Sequence, residues 1–596
     1  MPRKIMTDAR ADWEQRIYQR RTEDADPTPT LPAPTGVRAE PAVGYVRLSW
    51  DAVPGAAGYL IERDDVLVGH GGSDVAAVAG SPFADTGLPD GVDYHYRIGA
   101  VAGAEHPVQA WSETVSAQTL HGPAQDATVD VDTNTVTGTL ERVWRMVGSE
   151  RLTQLTFGDD GHGNDIGAEF AEALRRAHDD LGVTHVRAHA VLHDDNQVVT
   201  DDLKFDFDRI DTQYDQILAL GVKPVVELSF MPAALARDPE ETVFGYRGII
   251  SPPRDWARWW ELVRELAAHL VDRYGIDEVA DWGFEVWNEP NLIVFWSGTQ
   301  EEYLRLYDTT ADAIKSVDPR LRVGGPSTAA GEWVEALVRH AAENNVPLDF
   351  LTTHTYGNLP LDTHPTLHRH GFDNVPVWWT EWGVGSTHFG PIHDSVAGAP
   401  FVLSGFHDAQ GRVDRLAYWV ISDHFEELGR PQRLFHNGFG LLSVGNLRKP
   451  RYWAAHLAAH QGDHVLATRA HEVQAWATKH DDGTIDILLW NGTINADLMR
   501  GDPRLGRHLK VTVNGLNERP YKAKLARVDE RHSNIVAAWP PDVDWPDDAL
   551  WARLRGEDHL HEQELPDVTP HDGVARFGLD LPMPGVARIR LKEENA

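Results

Sequence analysis

The chain has 596 residues, enough for about four domains at about 150 residues each. Its 55 Lys and Arg against 91 Asp and Glu give a net charge of −36, with 42% hydrophobic residues and no cysteine. This excludes a disordered or collagen-like chain, disulfides, thiolate metal sites and a Cys nucleophile, and the only basic run, Arg16 to Arg21, is too short for a nucleic-acid surface.

The first twenty residues carry scattered charges and no apolar core, and no stretch of about 18 apolar residues follows, so the sequence reads as a cytoplasmic protein without membrane contact. Its 21 Trp are many for an acidic chain and suggest sugar-stacking faces as well as core filling. Residues 1–33 read as a polar lead-in, with a short helix over 12–21 and a Pro/Thr-rich linker over 26–34. From 34 to 120, short alternating strands separated by turns predict a β-sandwich. Tyr94, after the turn Leu88-Pro89-Asp90-Gly91, has the place of a tyrosine corner. With Pro34, Trp50, Tyr59, Tyr96 and Trp111-Ser112, this stretch resembles a fibronectin type III module, an immunoglobulin-like fold. It is expected to be a spacer, a cover over a neighbouring cleft or a subunit contact.

Over 121–460, strands alternate with helices. Strands are predicted near Leu155 and over 183–190, 222–228, 284–287, 321–323, 350–353, 375–379 and 416–420. Between them Phe207, Ile210, Tyr214, Ile217 and Leu218 recur at helical spacing, as do Trp256, Trp259, Trp260, Val263, Leu266 and Leu270. Eight such units predict a (β/α)8 TIM barrel, with the strand that leads into it counted in the same domain. A doubly wound sheet does not fit, because Gly158-Asp159-Asp160-Gly161-His162-Gly163 has the wrong glycine spacing and acids that repel a pyrophosphate. Strands over 471–478, 485–490, 509–513 and 586–591 predict a C-terminal β-sandwich over 461–596.

Active groups of such barrels sit at the C-terminal ends of the strands. The fourth ends in Trp287-Asn288-Glu289-Pro290 and the seventh in Trp379-Thr380-Glu381-Trp382. Two glutamates facing each other across the mouth are what retaining glycoside hydrolysis needs: one carboxyl keeps its proton for the leaving oxygen, the other is ionised to attack the anomeric carbon. Like-charge repulsion and an aromatic surround raise the first, and hydrogen bonds hold the second charged.

The Asn288-Glu289 pair resembles the acid/base signature of a large glycosidase clan. The segment 284–292 with Phe295-Trp296 narrows the resemblance to glycoside hydrolase family 39, which contains β-xylosidases and α-L-iduronidases. Val186-Arg187-Ala188-His189, the stretch from Lys223 to Pro232, Gly324-Gly325-Pro326, Thr353-His354-Thr355-Tyr356 and Trp419-Val420 through Glu426-Glu427 agree with it in order, over about 132–460. The resemblance implies Glu289 as acid/base and Glu381 as nucleophile. It implies that His189, Asn288 and His354 line the subsite of the cleaved sugar, that Tyr356 bonds Glu381, and that Glu426 and Glu427 meet sugar hydroxyls. Trp419, Phe230 and Phe295 would supply apolar faces for the sugar, and Arg187 would orient a carboxylate. The segment 383–390 after the nucleophile departs from the xylosidase pattern, which leaves the sugar open.

Three weaker patterns are read as structural. Asp130, Asp132, Asn134 and Glu141 lack the glycine of a calcium loop, His456 and His460 lack the glutamate of a zinc protease motif, and Asn491-Gly492-Thr493 is a sequon without a secretion signal. The sequence thus predicts a retaining, β-xylosidase-like exo-glycosidase of short oligosaccharides that needs no metal or cofactor and could assemble as a homo-oligomer. A different glycone within the family (arabinose-, galactose- or glucose-type, a released disaccharide, or less readily iduronate) is the first alternative. A non-catalytic sugar-binding barrel is the second.

Overall fold

The computed structural model describes residues 2–19, 29–69, 72–159, 165–424, 427–429 and 431–594, with side chains from residue 9 onward. An N-terminal helix (Pro2–Arg16) comes first. It starts earlier than the predicted 12–21: the pairs Arg10–Glu14 and Arg16–Asp12 bridge successive turns and extend it backward. Residues 20–28 of the lead-in lie outside the described residues.

A module of seven strands follows. One sheet holds Arg38–Pro41, Tyr45–Ser49 and Phe83–Thr86, the other Gly58–Arg63, Val66–Leu67, Asp93–Val101 and Val115–Gln118. Val46, Leu48, Tyr59, Ile61, Tyr96 and Ile98 alternate inward from both sheets into one core. Tyr96 carries the buried hydroxyl bond, donating to Asp85 at 2.8 Å. The module is tied to the C-terminal region through Arg504, which donates to the Leu88 carbonyl and to Asp90.

The barrel is closed and all-parallel. Its strands are Met146–Ser149, His185–Ala188, Lys223–Glu227, Phe284–Glu285, Val323–Thr328, Phe350–Tyr356, Val377–Gly383 and Arg415–Tyr418, the last pairing with the first. Six fall where the sequence predicts them, and the fifth, predicted at 321–323, begins at Val323 and runs on to Thr328. The first lies at 146–149, not near Leu155. Leu152 and Leu155 are spaced three apart and both buried, which suits the single 3-10 turn (Leu152–Thr156) that they form. The helices are capped by their own sequence: Asp255 accepts from two amides at the start of Trp256–Tyr274, and Thr299 with Glu302 forms a capping box on Gln300–Val317.

The C-terminal region departs from the predicted sandwich. Nine strands form one continuous sheet, running in spatial order His561–Val568, Tyr521–Val528, Gly585–Glu593, Ile485–Asn491, Gln474–Lys479, His464–His471, Asp126–Thr139, Arg507–Asn514 and Val574–Leu581. The edge strand Val574–Leu581 touches Gly585–Glu593, six places away, so the sheet curls back on itself around one core. The strand Asp126–Thr139, which the sequence reading grouped with the barrel, belongs to this sheet. Its Ala127, Val129 and Val131 alternate inward and are fully buried there.

Candidate active site

The strand ends converge on Arg187, at the end of the second strand and fully buried. Its Nε donates to Glu285 at 2.8 Å, and its Nη2 reaches Glu227 at 2.9 Å, the Asn288 amide oxygen at 2.8 Å and the Ser327 hydroxyl at 3.0 Å. Its Nη1 pairs with Glu381. Burial opposes a charge at this depth, but the three surrounding carboxylates outweigh it and hold the guanidinium charged. The expectation that Arg187 orients a carboxylate agrees with this geometry.

Glu381 and Glu289 face each other above Arg187. An oxygen of each and a ring nitrogen of His354 all lie within 4.8 Å of one another. Tyr356 donates its hydroxyl to Glu381 Oε2 at 2.5 Å, and Glu381 also has His189 Nε2 at 3.6 Å. Glu289 lies 2.9 Å from His354 Nδ1. Its backbone sits at φ 42°, with its amide donating to the Ser327 carbonyl, and this turn out of the short fourth strand aims the side chain at the mouth.

Two hydroxyls meet His354 Nε2. Thr380, 3.1 Å away, gives its proton to Glu285 at 2.7 Å and so accepts toward the ring, whereas Ser327, 3.2 Å away, accepts from Arg187 and has its own proton to give. Burial and the neighbouring Arg187 hold the ring neutral. With the ring proton on Nε2, Nδ1 accepts from a protonated Glu289 carboxyl; with it on Nδ1, the ring donates to Glu289.

The two glutamates are set apart. Burial pushes Glu289 well above the ordinary carboxyl value, reinforced by the negative charges of Glu381 and Asp74. Burial also raises Glu381, but Arg187, His189 and the Tyr356 hydroxyl all work against it. Of the two, Glu381 loses its proton first. The two environments thus favour the proton on Glu289 over Glu381.

A cavity of about 400 Å³ opens over this pair, within the range of small-molecule sites. His189, Asn288, Phe295, Tyr356, Trp419 and Glu427 line it. His189 Nδ1 bonds Glu227 at 2.6 Å, and the Trp419 ring lies 4.7 Å from the His189 ring. The Asn288 amide oxygen accepts from Arg187, so the amide N–H groups are turned away from that bond. Glu427 Oε2 and His388 Nε2 share a hydrogen bond at 2.6 Å, and burial with the nearby Glu150 lifts the Glu427 carboxyl well above the usual range. His354 is fully buried beneath the pair rather than in the wall. Phe230 is also fully buried, packed behind His189 and Trp287. Glu426 lies outside the described residues.

The tryptophans divide unevenly. Trp287, Trp379 and Trp382 flank the glutamates in sequence but are at most 1% exposed, so they are core, and among strand-end tryptophans Trp419 reaches the cavity. A further one does so from the N-terminal helix. Trp13 stacks on Phe244 at 5.4 Å and meets Phe295 and His388 edge-on at 5.6 and 5.1 Å. Gly72, Ser73 and Asp74 of the N-terminal module also line the cavity. Sequence reading missed both contributions: Trp13 stands in a polar lead-in and Asp74 in a turn-rich loop, and neither carries a local motif.

A family model for glycosyl hydrolases family 39 matches residues 127–368 and 362–542. The chain belongs to this family. It is 34% identical over 469 residues to a β-xylosidase of Geobacillus stearothermophilus, covering 71% of this chain and 89% of that one. A second β-xylosidase, of Caldicellulosiruptor saccharolyticus, is 35% identical over 400 residues, 62% of this chain and 80% of that one. Among solved structures, a monomeric β-xylosidase from Caulobacter crescentus CB15 superposes with a TM-score of 0.69 at 29% identity, covering 78% of this chain and 100% of that one. This family 39 protein is a glycosidase acting on O-glycosyl compounds. No helix among its described residues is long and apolar enough to cross a membrane.

Proposed function

We propose that this family 39 glycosidase is a retaining exo-acting enzyme with β-xylosidase-like specificity, with Glu381 as nucleophile and Glu289 as acid/base. The observation that carries the mechanism is the separation of the pair, with oxygens within 4.8 Å. Retaining enzymes hold their carboxyls about 5–5.5 Å apart, whereas inverting ones leave about 6.5–9.5 Å for a water.

In the first step a Glu381 oxygen bonds to the anomeric carbon as the bond from that carbon to the glycosidic oxygen breaks. The Glu289 proton passes to the departing oxygen. In the second step Glu289 takes a proton from water, the water oxygen bonds to the anomeric carbon, and the bond to Glu381 breaks. Arg187 and the Tyr356 hydroxyl hold Glu381 charged and oriented for attack. Glu427, His189 and Asn288 present polar atoms to sugar hydroxyls, with Trp419 as an apolar platform.

Exo action is supported by the wall that Trp13, Phe295, His388 and Glu427 make on one side of the cavity. Xylose as the cleaved sugar is supported by the similarity to two β-xylosidases. The N-terminal module reads as fibronectin type III-like on its three-plus-four strand arrangement.

A panel of nitrophenyl glycosides differing in sugar and anomer tests the specificity, with the β-xyloside expected to turn over fastest. A faster α-L-arabinoside or β-glucoside would replace xylose as the glycone. Tight sugar binding without turnover on any member would instead establish the non-catalytic reading.

A further inference from the structure

The family match begins at residue 127, yet the cavity wall includes residues 72–74. The loop carrying them docks on the end of the sixth barrel strand. The Asp74 amide donates to the Tyr356 carbonyl at 3.1 Å, and Asp74 Oδ1 accepts from the Tyr356 amide at 2.9 Å and the Thr355 hydroxyl at 2.7 Å. Asn358 reaches back to the Val75 and Ala77 carbonyls at 3.3 and 2.5 Å. Val75 and Ala77 join the barrel's own hydrophobic core. The approach is close: a Cβ on Gly357 would lie 2.3 Å from the Gly72 carbonyl oxygen. Gly357 also sits at φ 69°, so this position requires glycine twice over.

The placement of the loop follows from the order of the barrel strands. His189 and Glu427 stand at the ends of strands two and eight. Asp74 stands over strand six, beside Asn291, Ala329 and Glu332 from the ends of strands four and five. This is the Glu289 side of the mouth, where a leaving group receives its proton. Asp74 has Oδ1 fixed by two donors while the residue opens onto the cavity, and although desolvation raises its carboxyl to about 7, the ionised form keeps acceptor capacity directed at a ligand.

We propose that the N-terminal module completes the leaving-group subsite of this glycosidase, with Asp74 accepting a hydrogen bond from a hydroxyl of the leaving-group sugar. This rests on Glu289 being the acid/base. The class of leaving group follows from the wall: Asp74 and Glu332 present carboxyl groups, and among the described residues the one Lys or Arg lining the cavity, Arg10 of the N-terminal helix, is paired with Glu14, so the subsite takes neutral, hydroxyl-bearing sugars.

The test uses two substrates with the same glycone, one with a sugar leaving group and one with nitrophenol, which has no hydroxyl in the corresponding place. Xylobiose and nitrophenyl β-xyloside serve if the panel above identifies xylose, and the matching pair serves for any other sugar. In the full chain, Asp74→Asn keeps an oxygen for the Tyr356 and Thr355 donors and replaces the pocket-facing acceptor by an amide. It is expected to lower kcat/KM on the disaccharide about 10-fold more than on the aryl glycoside, chiefly through KM. Asp74→Ala, which also removes the docking bonds, is expected to lower both, with the same excess on the disaccharide. Equal losses on both substrates, with or without a lower Tm, would make Asp74 a purely structural anchor and overturn the proposal. An undiminished Asp74→Asn on the disaccharide would overturn it as well. Failure of the acid/base reading is recognised separately, by Glu289→Ala losing activity equally on the two substrates.

Discussion

The floor and the rim of the cavity are built in opposite ways. The floor is barrel, and every group on it is held several times over: Arg187 alone engages Glu227, Glu285, Glu381, Asn288 and Ser327. The rim is partly made by the first 126 residues, which lie outside the family match, and its contacts are ring faces from the N-terminal helix and backbone bonds from the 72–78 loop. The difference teaches that the reaction is fixed by an over-determined polar core, and what the cavity accepts is set by added elements. A change in the floor should cost turnover or stability, and a change in the rim should cost selectivity.

The largest expected effect is on the floor. Glu381→Ala should lower kcat by about 10⁴-fold or more, with azide restoring turnover and giving an inverted glycosyl azide. Retained activity in that variant would remove Glu381 from the mechanism. Arg187→Met leaves Glu227, Glu285 and Glu381 buried around a missing cation. Denaturant unfolding should register a loss of about 3–5 kcal/mol, as for other broken buried pairs.

Glu289→Ala should lower turnover of a natural disaccharide about 10²–10⁴-fold, and far less on an aryl glycoside whose leaving group needs no proton. The same carboxyl predicts a pH effect. As the proposed acid, Glu289 has to carry its proton, and burial holds it well above 4.5, so kcat/KM of the intact enzyme should fall on the alkaline side as that proton is lost. The stability sign follows from the same shift. Between the unfolded and native values the native chain binds more protons, so stability declines as pH rises through the native value. Glu289→Gln removes that decline and should be more stable than the parent above neutral pH. A variant less stable than the parent at pH 8 would contradict the raised carboxyl.

The smallest effect belongs to the rim. Trp13→Ala opens the wall beside Phe244 and His388 and should raise KM about 5-fold, an aromatic contact's worth, while leaving kcat within a factor of about two. A large fall in kcat would mean that the N-terminal helix also holds the floor.

The floor was legible in the sequence because each of its groups ends a strand with a distinctive local string. Glu289 follows Trp-Asn, Glu381 follows Trp-Thr, and His354 and Tyr356 share one strand end. The position of the first strand was not legible, because its four residues are short and Leu152 with Leu155 imitates an apolar run. The continuous C-terminal sheet was hidden for a different reason. Alternation identifies a strand but not its partners, and nothing local in Asp126–Thr139 says that it pairs with Arg507–Asn514. Asp74 was the least visible: it meets Thr355 across 281 positions, and an acid in a turn is the commonest of surface residues. Phe230 marks the opposite error, since its motif was right while its ring faces the core instead of the cavity.

The strand Asp126–Thr139 also sets a schedule for synthesis. Its Asp130 pairs with Arg469 on one side and Thr512 on the other, so the sheet stands open at this strand until the whole barrel has been made. At about 5–20 residues per second the wait is roughly 20–80 s, during which Val129 and Val131 have no layer to enter. Once the last strands arrive, the two ends of the barrel are stitched into one sheet, and the barrel cannot be cut out at residues 140 and 460 without opening that seam.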